Sequence, residues 1–153
     1  NGYDWLAYQG ENIYFDCDTA GTVIRTETDS KGGLGIVIIT EESGKYFQNR
    51  YWHLKGFACK AGDVVETGDL IGYADTTGLA TGSHLHRDLK EVVKDSLGNY
   101  QTINKDNGYL GAIPIDLYFQ NIFVVDKMNY LKSQISIIQA MINILKALFL
   151  LKK

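Results

Sequence analysis

From Ile13 to about Val93 apolar residues come in short runs separated by turn signals, the pattern of strands rather than helices. Ile13-Tyr14-Phe15, Gly21 to Thr26, Ile36 to Thr40 and Tyr46 to Trp52 are rich in β-branched and aromatic residues. Ser30-Lys31-Gly32-Gly33 and Glu42-Ser43-Gly44-Lys45 separate them at the spacing of an all-β sandwich or barrel. Two Gly-Asp turns, Gly62-Asp63 and Gly68-Asp69, each launch a short apolar strand. Ser83 to Val93 predicts a further strand, and Asp95 to Asn99 a hairpin turn into Tyr100-Gln101-Thr102-Ile103.

After Asp126 the period changes. Met128, Leu131, Ile135, Ile138, Ile142, Leu145 and Phe149 recur at alternating steps of three and four, which predicts a helix with a heptad seam. Ile137, Ile144 and Leu151 widen the stripe, while Gln134, Gln139, Asn143 and Lys146 interrupt any membrane-length run. The chain thus divides into a β domain, 1–125, and an amphipathic helix, 126–153, expected to pack, self-associate or dock rather than span a membrane.

Composition narrows the functions. The chain has 153 residues, 15 basic and 18 acidic, for a formal charge of -3. That balance offers no broad attraction to phosphate backbones, so nucleic acid is not expected as a partner. Cys17 and Cys59 are too few and too far apart for a disulfide framework or a zinc knuckle. Asn1-Gly2-Tyr3-Asp4-Trp5 is neither a secretory signal nor an initiator sequence, and reads as a cut or processed end.

The candidate chemistry lies in three histidines. Ser83-His84-Leu85-His86 puts two imidazoles on one face of a strand, with Leu85 pointing into the opposite layer. His53 ends the aromatic run Tyr51-Trp52-His53, where a strand terminus would let it reach a groove. Taken alone, such histidines are more often surface or core residues than ligands. Gly78-Leu79-Ala80-Thr81-Gly82-Ser83-His84-Leu85-His86, preceded by Asp69-Leu70-Ile71-Gly72 and Tyr51-Trp52-His53-Leu54, changes the picture. This set resembles the lysostaphin/LytM-type zinc metalloendopeptidases, which cut peptidoglycan cross-bridges. Gly21-Thr22-Val23, Gly33 to Ile38 and Lys60 to Asp69 keep the same order, and Gly108 to Ile113 with Leu117-Tyr118-Phe119 look like a continuation.

The resemblance implies a mainly β, two-layer, mostly antiparallel sandwich or barrel-like fold, a duplicated hybrid motif with a groove carrying zinc on its floor. It implies metal ligands at Asp4 and His86, and catalytic imidazoles at His53 and His84 flanking an activated water. Zinc lowers the pKa of bound water to about 7, so a neutral imidazole can take its proton. His84 is the expected base and His53 the group at the oxyanion, with the roles open to exchange. The expected substrate is peptidoglycan peptide, and the expected location extracellular, periplasmic or phage-associated.

One departure stands out. The family's first ligand falls four residues before Asp4, just ahead of Asn1. A catalytic zinc normally takes three protein ligands plus water, so this chain is expected to hold metal weakly. The alternative is a non-catalytic relative that binds peptidoglycan or regulates a wall hydrolase. Cys17 is expected to be a small core thiol rather than a substitute ligand. Arg87-Asp88 stands where relatives often carry an aromatic and an acid, a change next to the shell that orients His86. Gly32, Gly33, Gly35 and Thr76 to Gly82 are expected to wall the groove, with Tyr46, Tyr51 and Trp52 divided between core and lining.

Overall fold

The computed structural model describes residues 2–115, 135–144 and 146. The β-branched runs form ten antiparallel strands in one curled sheet. Its main path is β1 (Tyr3–Leu6), β8 (His84–Lys94), β5 (Lys45–Phe57), β4 (Gly33–Glu42), β3 (Gly21–Asp29) and β6 (Val64–Val65). β2 (Asn12–Tyr14) pairs with β7 (Leu70–Ala74), which pairs with the far end of β5. β9 (Tyr100–Thr102) and β10 (Ala112–Ile113) run beside β8. The expected mainly β, antiparallel architecture is the one observed.

The sheet curls because β5 changes partner along its length. Tyr46 to Trp52 pair with β8, whereas Leu54, Gly56 and Phe57 pair with β7. Phe15, Ile36, Ile38, Tyr51, Leu54 and Leu89 are buried within the curl and form one core. Fully burying a side chain of this size contributes roughly 1.5–3 kcal/mol, so the core outweighs any single polar contact described below.

The side chains of β8 alternate between faces. Leu85, Arg87 and Leu89 are buried, while His84 and His86 remain half-buried on the other side. Arg87 is fully buried; its Nη2 is ion-paired with Asp16 Oδ1 at 2.8 Å and donates to Asn49 Oδ1 at 3.1 Å and to Cys17 Sγ at 3.3 Å. The Tyr51 hydroxyl donates to the same Asp16 oxygen at 2.6 Å. Burial pushes the Cys17 thiol up to about 12, as suits a core thiol and not a metal ligand.

Residues 135–144 and 146 are helical, as the periodicity predicts, and Ile135, Ile138 and Ile142 on the seam are exposed. The rest of the predicted helix, including Met128, Leu131, Leu145 and Phe149, lies outside the described residues, as does Leu117-Tyr118-Phe119. No helix among the described residues is long and apolar enough to cross a membrane.

Candidate metal centre

Pairing of β1 with β8 builds the site. Asp4 stands directly opposite His86, and Leu6 opposite His84, so the first four-residue strand lays a carboxylate beside the His-x-His pair. His86 Nδ1 donates to Asp4 Oδ1 at 2.6 Å, and His84 Nε2 lies 3.7 Å from that oxygen. The hydrogen bond from His86 holds the Asp4 carboxyl below its ordinary value; partial burial opposes this, and the nearby imidazoles reinforce it. Gly2 keeps the corner tight, because a Cβ there would stand 2.8 Å from His86 Nε2 and 2.7 Å from the Arg87 carbonyl.

His53 reaches the site by a different route from the one its sequence position predicts. It does not end a strand: β5 runs on to Phe57. Strict alternation after Tyr51 would aim His53 at the core. Instead its backbone takes a left-handed turn, φ 63°, where β5 exchanges β8 for β7. Such a conformation is uncommon outside glycine, and histidine tolerates it better than β-branched residues. The turn swings the ring to 4.6 Å from His84 and 6.0 Å from His86, centroid to centroid.

Both flanking imidazoles are held in one tautomer. His53 Nδ1 lies 2.8 Å from the Thr77 carbonyl and His84 Nδ1 2.8 Å from the Gly82 carbonyl. A carbonyl oxygen only accepts, so each Nδ1 carries the proton and each neutral ring leaves its Nε2 lone pair open. Thr77 was not singled out by its sequence beyond membership of a polar loop. Its hydroxyl donates to the Leu54 carbonyl at 2.8 Å and accepts from the Leu34 amide at 3.0 Å, fixing the carbonyl that orients His53.

The groove beside these residues encloses about 680 Å³, and Gly32, Trp52 and Leu79 line it with His53 and His86. Trp52 lies against Gly32 and Gly35, where no Cβ fits. Tyr51, by contrast, is wholly core, and Tyr46 packs edge-on against Tyr100. Arg87 points away from His86 into the core. Asp88 faces the groove but lies 4.0 Å from His86 Nε2, beyond hydrogen-bond reach. It is held instead by Arg50, at 2.8 and 3.0 Å from Nε and 2.7 Å from Nη2.

The donors suit zinc as a pair. Carboxylate and imidazole donors on one tetrahedral zinc, each about 2.0–2.2 Å from the ion, stand roughly 3.3 Å apart. Asp4 and His86 need open by less than about 1 Å to reach that spacing. Among the described residues no group of three histidine, cysteine or acidic side chains converges as a metal site.

Residues 1–105 match the model of peptidase family M23. The chain belongs to that family. It is 35% identical over 89 residues to the peptidoglycan DD-endopeptidase ShyA of Vibrio cholerae, covering 58% of this chain and 20% of ShyA. To the glycyl-glycine endopeptidase ALE-1 of Staphylococcus capitis it is 36% identical over 75 residues, covering 43% and 20%. The crystal structure of a zinc-containing peptidase from Vibrio cholerae superposes with a TM-score of 0.52 at 31% identity, covering 59% of this chain and 26% of that one. The chain therefore spans about a fifth of the length of each of these two curated relatives.

Proposed function

We propose that this chain carries the catalytic β domain of a zinc endopeptidase acting on peptidoglycan peptides outside the cytoplasm. The observation that carries the reading is the 2.6 Å contact between Asp4 and His86 across β1 and β8, with two further imidazoles alongside. Asp4 and His86 would hold the zinc with a histidine placed directly before Asn1 as third ligand. When bound, the ion supplies an acidified water and polarises the scissile carbonyl.

The chain's own residues do the rest. His84 Nε2, free of its carbonyl partner, accepts the proton of the attacking water and returns it to the leaving amine. The imidazolium so formed stands 3.7 Å from Asp4, which stabilises it. His53 is buried and anchored to Thr77; when protonated it donates Nε2–H to the developing oxyanion.

The test extends the chain by one histidine before Asn1, loads zinc and incubates it with purified peptidoglycan. New amino groups should appear at a rate that His84→Ala cuts by about 10²–10⁴. No turnover, or turnover indifferent to His84, rejects the reading. A second reading is a non-catalytic relative that binds peptidoglycan or regulates a wall hydrolase. Stoichiometric zinc without cleavage would select it.

A further inference from the structure

The groove carries charges that proton transfer at the histidines leaves unused. Arg25, Lys31 and Arg50 line it together with Glu27, Asp29 and Asp88; Arg25 is paired with Glu27 at 2.7 Å, and Asp29 lies within electrostatic reach of Lys31. Arg50 is placed differently. Its guanidinium stacks 5.7 Å from the Trp52 ring centre, and Trp52 is itself wedged against Gly32 and Gly35. The Nε and Nη2 edge is occupied by Asp88, whose side chain is only 1% exposed, while the Arg50 side chain is 25% exposed. The guanidinium lines the groove, held in plane by stacking and by the bidentate pair.

One side chain separates this cation from the metal corner, because Asp88 Oδ2 lies 2.7 Å from Arg50 Nη2 and 4.0 Å from His86 Nε2. An anion meeting Arg50 from the groove therefore sits one side chain away from the metal corner. ShyA and ALE-1 are named for different bonds, yet the chain resembles both at 35–36% identity, so identity does not choose between them. The groove does. An oligoglycine bridge brings neither side chain nor charge to Arg50. A D,D-peptide bond whose amide nitrogen sits on a carbon bearing a free carboxylate brings an anion to that place.

We propose that Arg50, assisted by Lys31, is a specificity-determining residue that selects cross-link peptides carrying a free carboxylate next to the scissile amide, over oligoglycine. This rests on the peptidoglycan endopeptidase reading above. Binding tests it on the chain as it stands, without metal or turnover. Trp fluorescence or calorimetry compares acetyl-L-lysyl-D-alanyl-D-alanine, its C-terminal carboxamide and pentaglycine amide. The acid should bind roughly tenfold more tightly than the carboxamide, as expected of one charge-assisted contact. Arg50→Gln combined with Asp88→Asn, which keeps the pair uncharged, should erase the preference, and Arg50→Lys should retain part of it. Lys31→Gln, on the exposed turn, should lower it about threefold and serves if the double variant does not fold. Equal binding of acid and carboxamide, or of acid and pentaglycine, overturns this proposal alone. Failure of all three peptides to bind overturns the peptidoglycan reading and this proposal with it.

Discussion

The two faces of β8 treat charge in opposite ways. On the core face Arg87 is sealed from water, and Asp16, Asn49, Cys17 and Tyr51 surround it with partners of fixed geometry. On the groove face, one residue to either side, His86 and Asp88 meet groups that leave capacity unused: Asp4 has a second oxygen, His84 and His53 keep Nε2 open, and Arg50 lines the groove. A charge sealed among partners of fixed geometry gives a stable register and no reactivity. Groups satisfied on one side only can still take up a metal, a proton or a substrate anion. The buried cluster fixes the strand, and the groove face exploits that fixity.

The largest effect should come from the groove face. In the chain extended by a histidine before Asn1, His86→Ala should abolish stoichiometric zinc, read by metal analysis after dialysis, and leave no measurable peptidoglycan cleavage. Its unfolding midpoint in the metal-free state should change little, since His86 is only half-buried.

Breaking the core face should give the reverse pattern. Arg87→Met leaves the Asp16 carboxylate buried without its cation and should cost about 3–5 kcal/mol in urea unfolding. Adding Asp16→Asn should recover most of the loss. If Arg87→Met is neutral, the cluster does not anchor the strand.

Cys17 sharpens the same point through pH. Its folded value, about 12, lies above the ordinary thiol value of 9.0. The thiol's contribution is thus fully present below pH 9 and is lost as pH rises towards 12, because only the unfolded chain releases the proton. The stability advantage of wild type over Cys17→Ala should shrink between pH 8 and pH 11 by about 3 kcal/mol. A constant difference would mean that the thiol titrates freely.

Gly2→Ala should have the smallest effect on the fold. Its Cβ would press on the His86 ring, so zinc affinity in the extended chain should fall about 10- to 100-fold with little change in unfolding. Equal affinity would show that the ring can move aside.

The sequence made most of the β domain legible, because Ile36 to Thr40 and Tyr46 to Trp52 carry β-branched and aromatic residues whatever they pack against. It also made the His-x-His face legible, since period two fixes which residues share a side. Three features escaped. β1 is too short and too exposed to announce itself, and only its pairing with β8 defines it. The left-handed turn at His53 depends on β5 changing partners, a tertiary event with no local signal. Arg87-Asp88 read as a change next to the shell around His86, whereas alternation sends one side chain to Asp16 and Arg50 claims the other. Such pairings join residues 38 to 71 positions apart and leave no trace in spacing.

The position of Asp4 on β1 has a consequence for affinity. Among the described residues β1 ends the main strand path and pairs with β8 through four residues. Short edge strands fray, and a donor on a fraying strand is present only while the strand is zipped. The apparent dissociation constant is then the intrinsic one divided by the zipped fraction. If Asp4 is the proposed zinc ligand, any neighbouring segment that clamps β1 would tighten metal binding without touching the ion, and any that peels it away would release metal from an otherwise intact fold.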